Sequence, residues 1–110
     1  MHPLDTSDGF EERLTANFID RPGVAKKKAF ARDALTVNGK IFAIYRLGDL
    51  VLKLPVSTGA PLVESGEATQ FEPGPGRFMK EWFVFGPGVD EDRAIALAEQ
   101  AYDFVLSLQA

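Results

Sequence analysis

Arg77, Lys80 and Trp82 stand close together in the segment Phe71-Glu72-Pro73-Gly74-Pro75-Gly76-Arg77-Phe78-Met79-Lys80-Glu81-Trp82. With Lys40 they are the side chains best suited to binding chemistry in this chain. A guanidinium presents a planar fork of donors to a carboxylate or phosphate, an ammonium presents a compact charge, and an indole presents a stacking face. The alternating Pro/Gly run before them makes a stiff turn, because Pro fixes φ and Gly admits positive φ. The plainer reading makes Trp82 core, Met79 a gap filler, and Arg77 and Lys80 solvated loop ends. Lys40 and Lys53 would extend a basic edge, or simply discourage edge-to-edge association.

Catalytic constellations are harder to assemble. The single histidine, His2, lies in an N-terminal stretch (residues 1–5) read as a flexible tail, and the chain has no cysteine. A Ser-His-Asp or Cys-His arrangement therefore lacks its base, and a zinc site lacks its ligands. Asp90-Glu91-Asp92 is acidic enough for a hard cation, but neighbours on one turn do not converge on an ion. Helix capping explains them directly. Gly74-Pro75-Gly76-Arg77 looks like a phosphate cradle, yet Pro75 removes one of the N–H donors and a strand follows it rather than a helix. No catalytic residue, metal or cofactor is expected.

Length and composition suit one domain over residues 1–110, long enough to bury about two-thirds of its unfolded surface. Hydrophobic residues make up 45% and charged residues 25%, which argues against global disorder. No apolar run is long enough for a membrane span, no signal-peptide pattern opens the chain, and the missing cysteines suit a cytoplasmic address. Charge is uneven: residues 1–55 hold nine Lys/Arg against seven Asp/Glu, and residues 56–110 hold three against nine. An acidic domain has little electrostatic reason to hold nucleic-acid phosphates. Its one basic cluster, Lys26-Lys27-Lys28 with Arg32, reads most simply as a solvated entry to the first strand.

These residues must be positioned by a small set of elements. Phe10, Leu14 and Phe18 share one helical face, with Ser7 as N-cap, and Arg21-Pro22-Gly23 ends that helix. Ala29 to Val37 and Lys40 to Leu47 flank Asn38-Gly39, a strong hairpin signal. After Gly48-Asp49, Leu50, Leu52 and Leu54 alternate with Val51 and Lys53, giving a third antiparallel strand. A short helix over about residues 57–65 stops at Gly66, and Gln70-Phe71-Glu72 reads as a short fourth strand before the Pro/Gly loop. Glu81 to Phe85 forms a fifth, with Trp82 and Val84 on one face and Phe83 and Phe85 on the other. Asp90 then caps a last helix whose stripe is Ala94, Leu97, Ala98, Ala101, Val105 and Leu108. The expected fold is a two-layer α+β domain in the order α-β(3)-α-β(2)-α, with a five-stranded, mainly antiparallel sheet packed by the C-terminal helix. Phe42, Ile44, Phe83 and Phe85 are read as apolar surface left over, which a homodimer would cover.

Several segments resemble the N-terminal domain of TfoX, the bacterial competence regulator, and its stand-alone relatives. They are Lys28-Ala29-Phe30, Val37-Asn38-Gly39-Lys40-Ile41-Phe42-Ala43, Val51-Leu52-Lys53-Leu54-Pro55 and Phe71 through Trp82. They occur in the family's order across roughly residues 24–106. The first strand departs from the pattern, reading Ala29-Phe30-Ala31-Arg32-Asp33 where the family has Met-Phe-Gly-Gly. The sequence as given also lacks the family's helical C-terminal domain. The resemblance implies a two-layer α+β domain, similar in shape to YjbR-like and secretion-chaperone-like domains, and a regulatory or binding role. Fold alone does not settle function. The expectation is a non-enzymatic binding or regulatory module working through a protein partner or a small anionic ligand. Its rivals are nucleic-acid binding through Lys26–Lys28, Arg32, Lys40 and Arg77, and a small enzyme with a carboxylate or lysine site of unfamiliar type.

Overall fold

Asn38 and Gly39 adopt φ of 51° and 82°, the paired left-handed conformations of a two-residue hairpin turn that matches strand twist. They join β2 (Arg32–Val37) to β3 (Lys40–Arg46). In the computed structural model, which describes residues 8–29, 32–46, 49–72, 80–86 and 89–109, this hairpin belongs to an open antiparallel sheet. The other strands are β1 (Val24–Ala29), β4 (Asp49–Lys53), β5 (Thr69–Gln70) and β6 (Trp82–Phe85). Their spatial order is β1-β2-β3-β4-β6-β5, every neighbouring pair antiparallel. Among the described residues three helices complete an α+β domain: α1 (Asp8–Phe18), α2 (Val56–Glu64) and α3 (Glu91–Ser107), the last packed on the sheet.

Among the described residues the sheet has six strands where the sequence suggests five. The expected first strand, Ala29 to Val37, overlaps the last residue of β1 and the whole of β2, and Lys26–Lys28 lie inside β1 rather than on an approach to it. The cause is the edge position. Ala25 through Lys28 are exposed, so no alternation of apolar and polar residues marks them. The β1 backbone is held by pairing with β2, and pairing leaves no signature in side-chain type.

The helix-facing side of the sheet carries the main core. Leu50, Leu52 and Leu54 point into it from β4 and the residue beyond, and Phe10, Leu14 and Phe18 from α1. Ala94, Leu97, Ala98, Ala101 and Val105 contribute from α3. Leu108, expected on that stripe, instead sits at the C-cap and is exposed, because the helix has already ended. The Asp90 carboxylate accepts the Arg93 N–H at 3.1 Å, so the expected N-cap is present. Phe18, Phe42 and Tyr102 form an aromatic cluster with centroids 5.1 to 5.7 Å apart. Gly59 of α2 lies directly against the Phe83 ring.

A β-bulge decides which face several aromatics take. Leu35 pairs with Ala43 but Thr36 pairs with Ile41, so Phe42 is the extra residue on β3. Phe42 and Ala43 consequently both enter the helix-side core, while Ile41 and Ile44 belong to a smaller cluster on the other face. The reading of Phe42, Ile44, Phe83 and Phe85 as one leftover surface is thereby corrected. All four are buried, three of them beneath the helices and Ile44 on the opposite side.

Candidate functional site

The strand register builds a continuous row across the face away from the helices. Lys27 pairs with Ala34, Ala34 with Ile44, Ile44 with Val51, Val51 with Val84, and Val84 with Thr69. Cross-strand partners share a face, so this one row touches all six strands. Ala34, Ile44 and Val51 are buried in it, with Phe71 beside them and Ile41, Trp82 and Val84 packed at its margin.

Trp82 occupies the next row, where it pairs with Lys53 of β4. The Lys53 Nζ stands 5.8 Å from the indole centroid and 4.0 Å from Glu81 Oε1. A cation over an indole gains from the ring quadrupole while it keeps access to water. The Trp82 carbonyl accepts both the Phe71 N–H and the Gln70 side-chain amide, each at 2.9 Å. These bonds tie the chain on either side of the Pro/Gly run to the same strand end. Trp82 is half-buried.

The four sequence-derived site residues do not all converge there. Lys80 is exposed in the turn that leads into β6, close in sequence to Trp82. Lys40 is exposed at the β2–β3 hairpin, opposite Val37, whose side chain belongs to the helix-side core. Arg77 lies outside the described residues. Lys53 is the neighbour that the fold adds to Trp82, through a β4–β6 pairing between strands that are not consecutive in the chain.

Several charged groups on the helical layer are matched to one another. Arg13 donates to Glu91 and Asp92 at 2.8 and 2.6 Å, which accounts for two of the three acidic residues at the start of α3. Those hydrogen bonds, Glu91 first, raise the Arg13 pKa above its ordinary value. Arg21 grips Glu99 with two parallel bonds of 2.9 and 2.6 Å and stacks on the Phe18 and Tyr102 rings. That grip holds the Glu99 carboxyl below the usual carboxylate range. Arg93 pairs with Glu67 at 2.9 Å beside a cleft of about 450 Å³ at the head of α3. Tyr45 is buried, and its hydroxyl shares a 2.6 Å hydrogen bond with Thr15; burial pushes its pKa up.

A second cleft, of about 500 Å³, runs between α1 and β1. It is lined by Glu11, Glu12, Thr15, Ala16, Ile19 and Lys26. Sequence reading missed it because it depends on β1 being a strand. Among the described residues, no helix is long and apolar enough to cross a membrane, and no group of three or more His, Cys, Asp or Glu gathers as a metal site would require. Against known proteins, no family model, no curated protein and no solved structure matches this chain.

Proposed function

We propose that this protein is a non-enzymatic binding or regulatory module of the TfoX N-terminal type, and that it captures a small anionic ligand or an acidic protein surface at the Trp82 end of its sheet. The observation that carries this reading is the Lys53–Trp82 pair, a cation and a half-buried indole side by side on the face away from the helices. Lys80 enters at the same strand end. A cation beside an aromatic face suits a planar or delocalised anion, which gains charge pairing and stacking together.

The nucleic-acid rival draws less support from the geometry. Lys26 and Lys28 share the side of Leu35 and Asp33, while Lys27 and Arg32 take the other side of the sheet. Lys28 and Arg32 are already engaged by Asp33 and Asp49. A phosphate backbone needs its cations on one surface.

Trp82 is the only tryptophan in the chain, so its emission reports this end of the sheet without ambiguity. Titration with inorganic phosphate, citrate and a nucleoside triphosphate should quench or shift that emission for at least one of them. The response should weaken with added salt and be lost in a Lys53→Ala/Lys80→Ala double variant whose melting is nearly unchanged. Emission indifferent to every anion, or a response that survives the double substitution, would overturn the reading.

A further inference from the structure

β1 is an edge strand whose outer side pairs with no other strand among the described residues. Its hydrogen-bonding phase follows from one contact. The Asn38 N–H donates to the Gly23 carbonyl at 2.8 Å, so positions 23 and 38 form a hydrogen-bonded pair. Antiparallel pairs alternate, and the β1–β2 register is unbroken. Ala25 and Lys27 therefore turn their N–H and C=O groups toward β2. Lys26 and Lys28 turn theirs outward, which is the spacing an added antiparallel strand would meet.

The surroundings of this edge restrict what would be added. On the helix side, α1 forms the wall of the 500 Å³ cleft, where Ala16 and the partly exposed Ile19 supply apolar surface beside Lys26. On the other side, Lys27 is exposed, and none of the salt bridges or hydrogen bonds identified among the described residues engages its ammonium. A second copy of β1 is a poor occupant, since pairing Lys26–Lys28 with itself sets like charges directly opposite one another.

We infer that the free edge of β1 is a docking site for an extended acidic segment of another protein. The segment adds a seventh strand, with apolar side chains toward Ala16 and Ile19 and carboxylates toward Lys27. This site does not rest on the Trp82 reading. It lies four strands away, about 19 Å at ordinary strand spacing, and either can fail without the other.

The test uses the full chain and a synthetic peptide of about eight residues in which Glu and Val alternate, with a Lys/Val peptide as its charge-reversed control. The Glu/Val peptide should bind with salt-sensitive affinity and slow amide exchange at Lys26 and Lys28 by about tenfold or more, while Ala25 and Lys27, already bonded to β2, change little. Lys27→Glu should weaken binding by about tenfold. Lys26→Pro should abolish it, because Pro removes an outward donor without breaking a bond to β2; Lys27→Glu carries the test if the Pro variant does not fold. Equal binding of the two peptides, or binding with no new protection at Lys26 and Lys28, overturns the inference.

Discussion

Gly59→Ala sets two known effects against each other at a site where the structure says which one wins. Gly59 lies inside α2, and replacing a helix-interior Gly by Ala ordinarily gains about 1 kcal/mol through backbone entropy. Here a methyl group would fall on the Cζ and both Cε atoms of Phe83, closer than any real carbon–carbon contact. Phe83 has nowhere convenient to go. It is about 1% exposed, sits between the cross-strand neighbours Leu52 and Gln70, and has a stiff ring. Overpacking of this kind costs about 1–3 kcal/mol, and the near-complete overlap argues for the upper part of that range. After the propensity gain is subtracted, the variant should be less stable by about 1–2 kcal/mol, a fall in Tm of roughly 4–8 °C for a domain of this size. Urea unfolding followed through Trp82 emission should show a lower midpoint and an unchanged slope. The cycle with Phe83→Leu sharpens the test, because removing the ring should make Gly59→Ala neutral or stabilising. A higher midpoint for Gly59→Ala alone would refute the claimed contact.

Leu52→Ala and Leu97→Ala, both fully enclosed in the helix-side core, should each cost about 2–5 kcal/mol in the same urea assay; a loss below about 0.5 kcal/mol at both would show the core assignment wrong. Arg21→Lys keeps the charge but loses the two-pronged grip on Glu99 and the stacking on Phe18 and Tyr102, and should lower stability by about 1 kcal/mol, since a partly exposed pair is screened by solvent. On the acid side, Glu99 is held below its ordinary pKa mainly by the Arg21 hydrogen bond and Asp33 by the Lys28 hydrogen bond. Their stabilising contribution is present above the unfolded carboxylate range and disappears as pH falls through the lowered folded values. Unfolding midpoints measured downward from about pH 5 should therefore decline, and Glu99→Gln should flatten part of that decline; an identical slope in the variant would exclude Glu99 as a contributor.

Legibility in the sequence followed burial. Leu50, Leu52 and Leu54 alternate with Val51 and Lys53 because one side of β4 faces the main core, and the same logic exposed α1 and α3. Asn38-Gly39 was readable because its backbone conformation restricts residue type. β1 escaped notice because Ala25–Lys28 bury almost nothing, so its identity as a strand resides in backbone pairing alone. The faces of Phe42 and Ile44 were misassigned because strict alternation has no way to register a residue inserted opposite Leu35 and Thr36. At the candidate site, Trp82 and Lys80 were visible as chemical types, but the partnership of Trp82 with Lys53 required β4 and β6 to be neighbours with β5 outside them. Local pattern does not encode that strand order.

The bulge on β3 also has a meaning for sequence length. Removing one residue from a regular strand turns every following side chain to the opposite face, so such deletions are ordinarily ruinous. At Phe42 the arithmetic runs the other way. Deleting it would bring Ile41 and Ala43 into simple succession opposite Thr36 and Leu35, with every later residue of β3 still facing as it does now. What the domain would lose is one ring from the Phe18–Tyr102 cluster, a cost of the order of a Phe→Ala change, about 3–5 kcal/mol. Position 42 is thus where this strand can change length by one residue during divergence without inverting the sheet, and the extra aromatic is what resists the change.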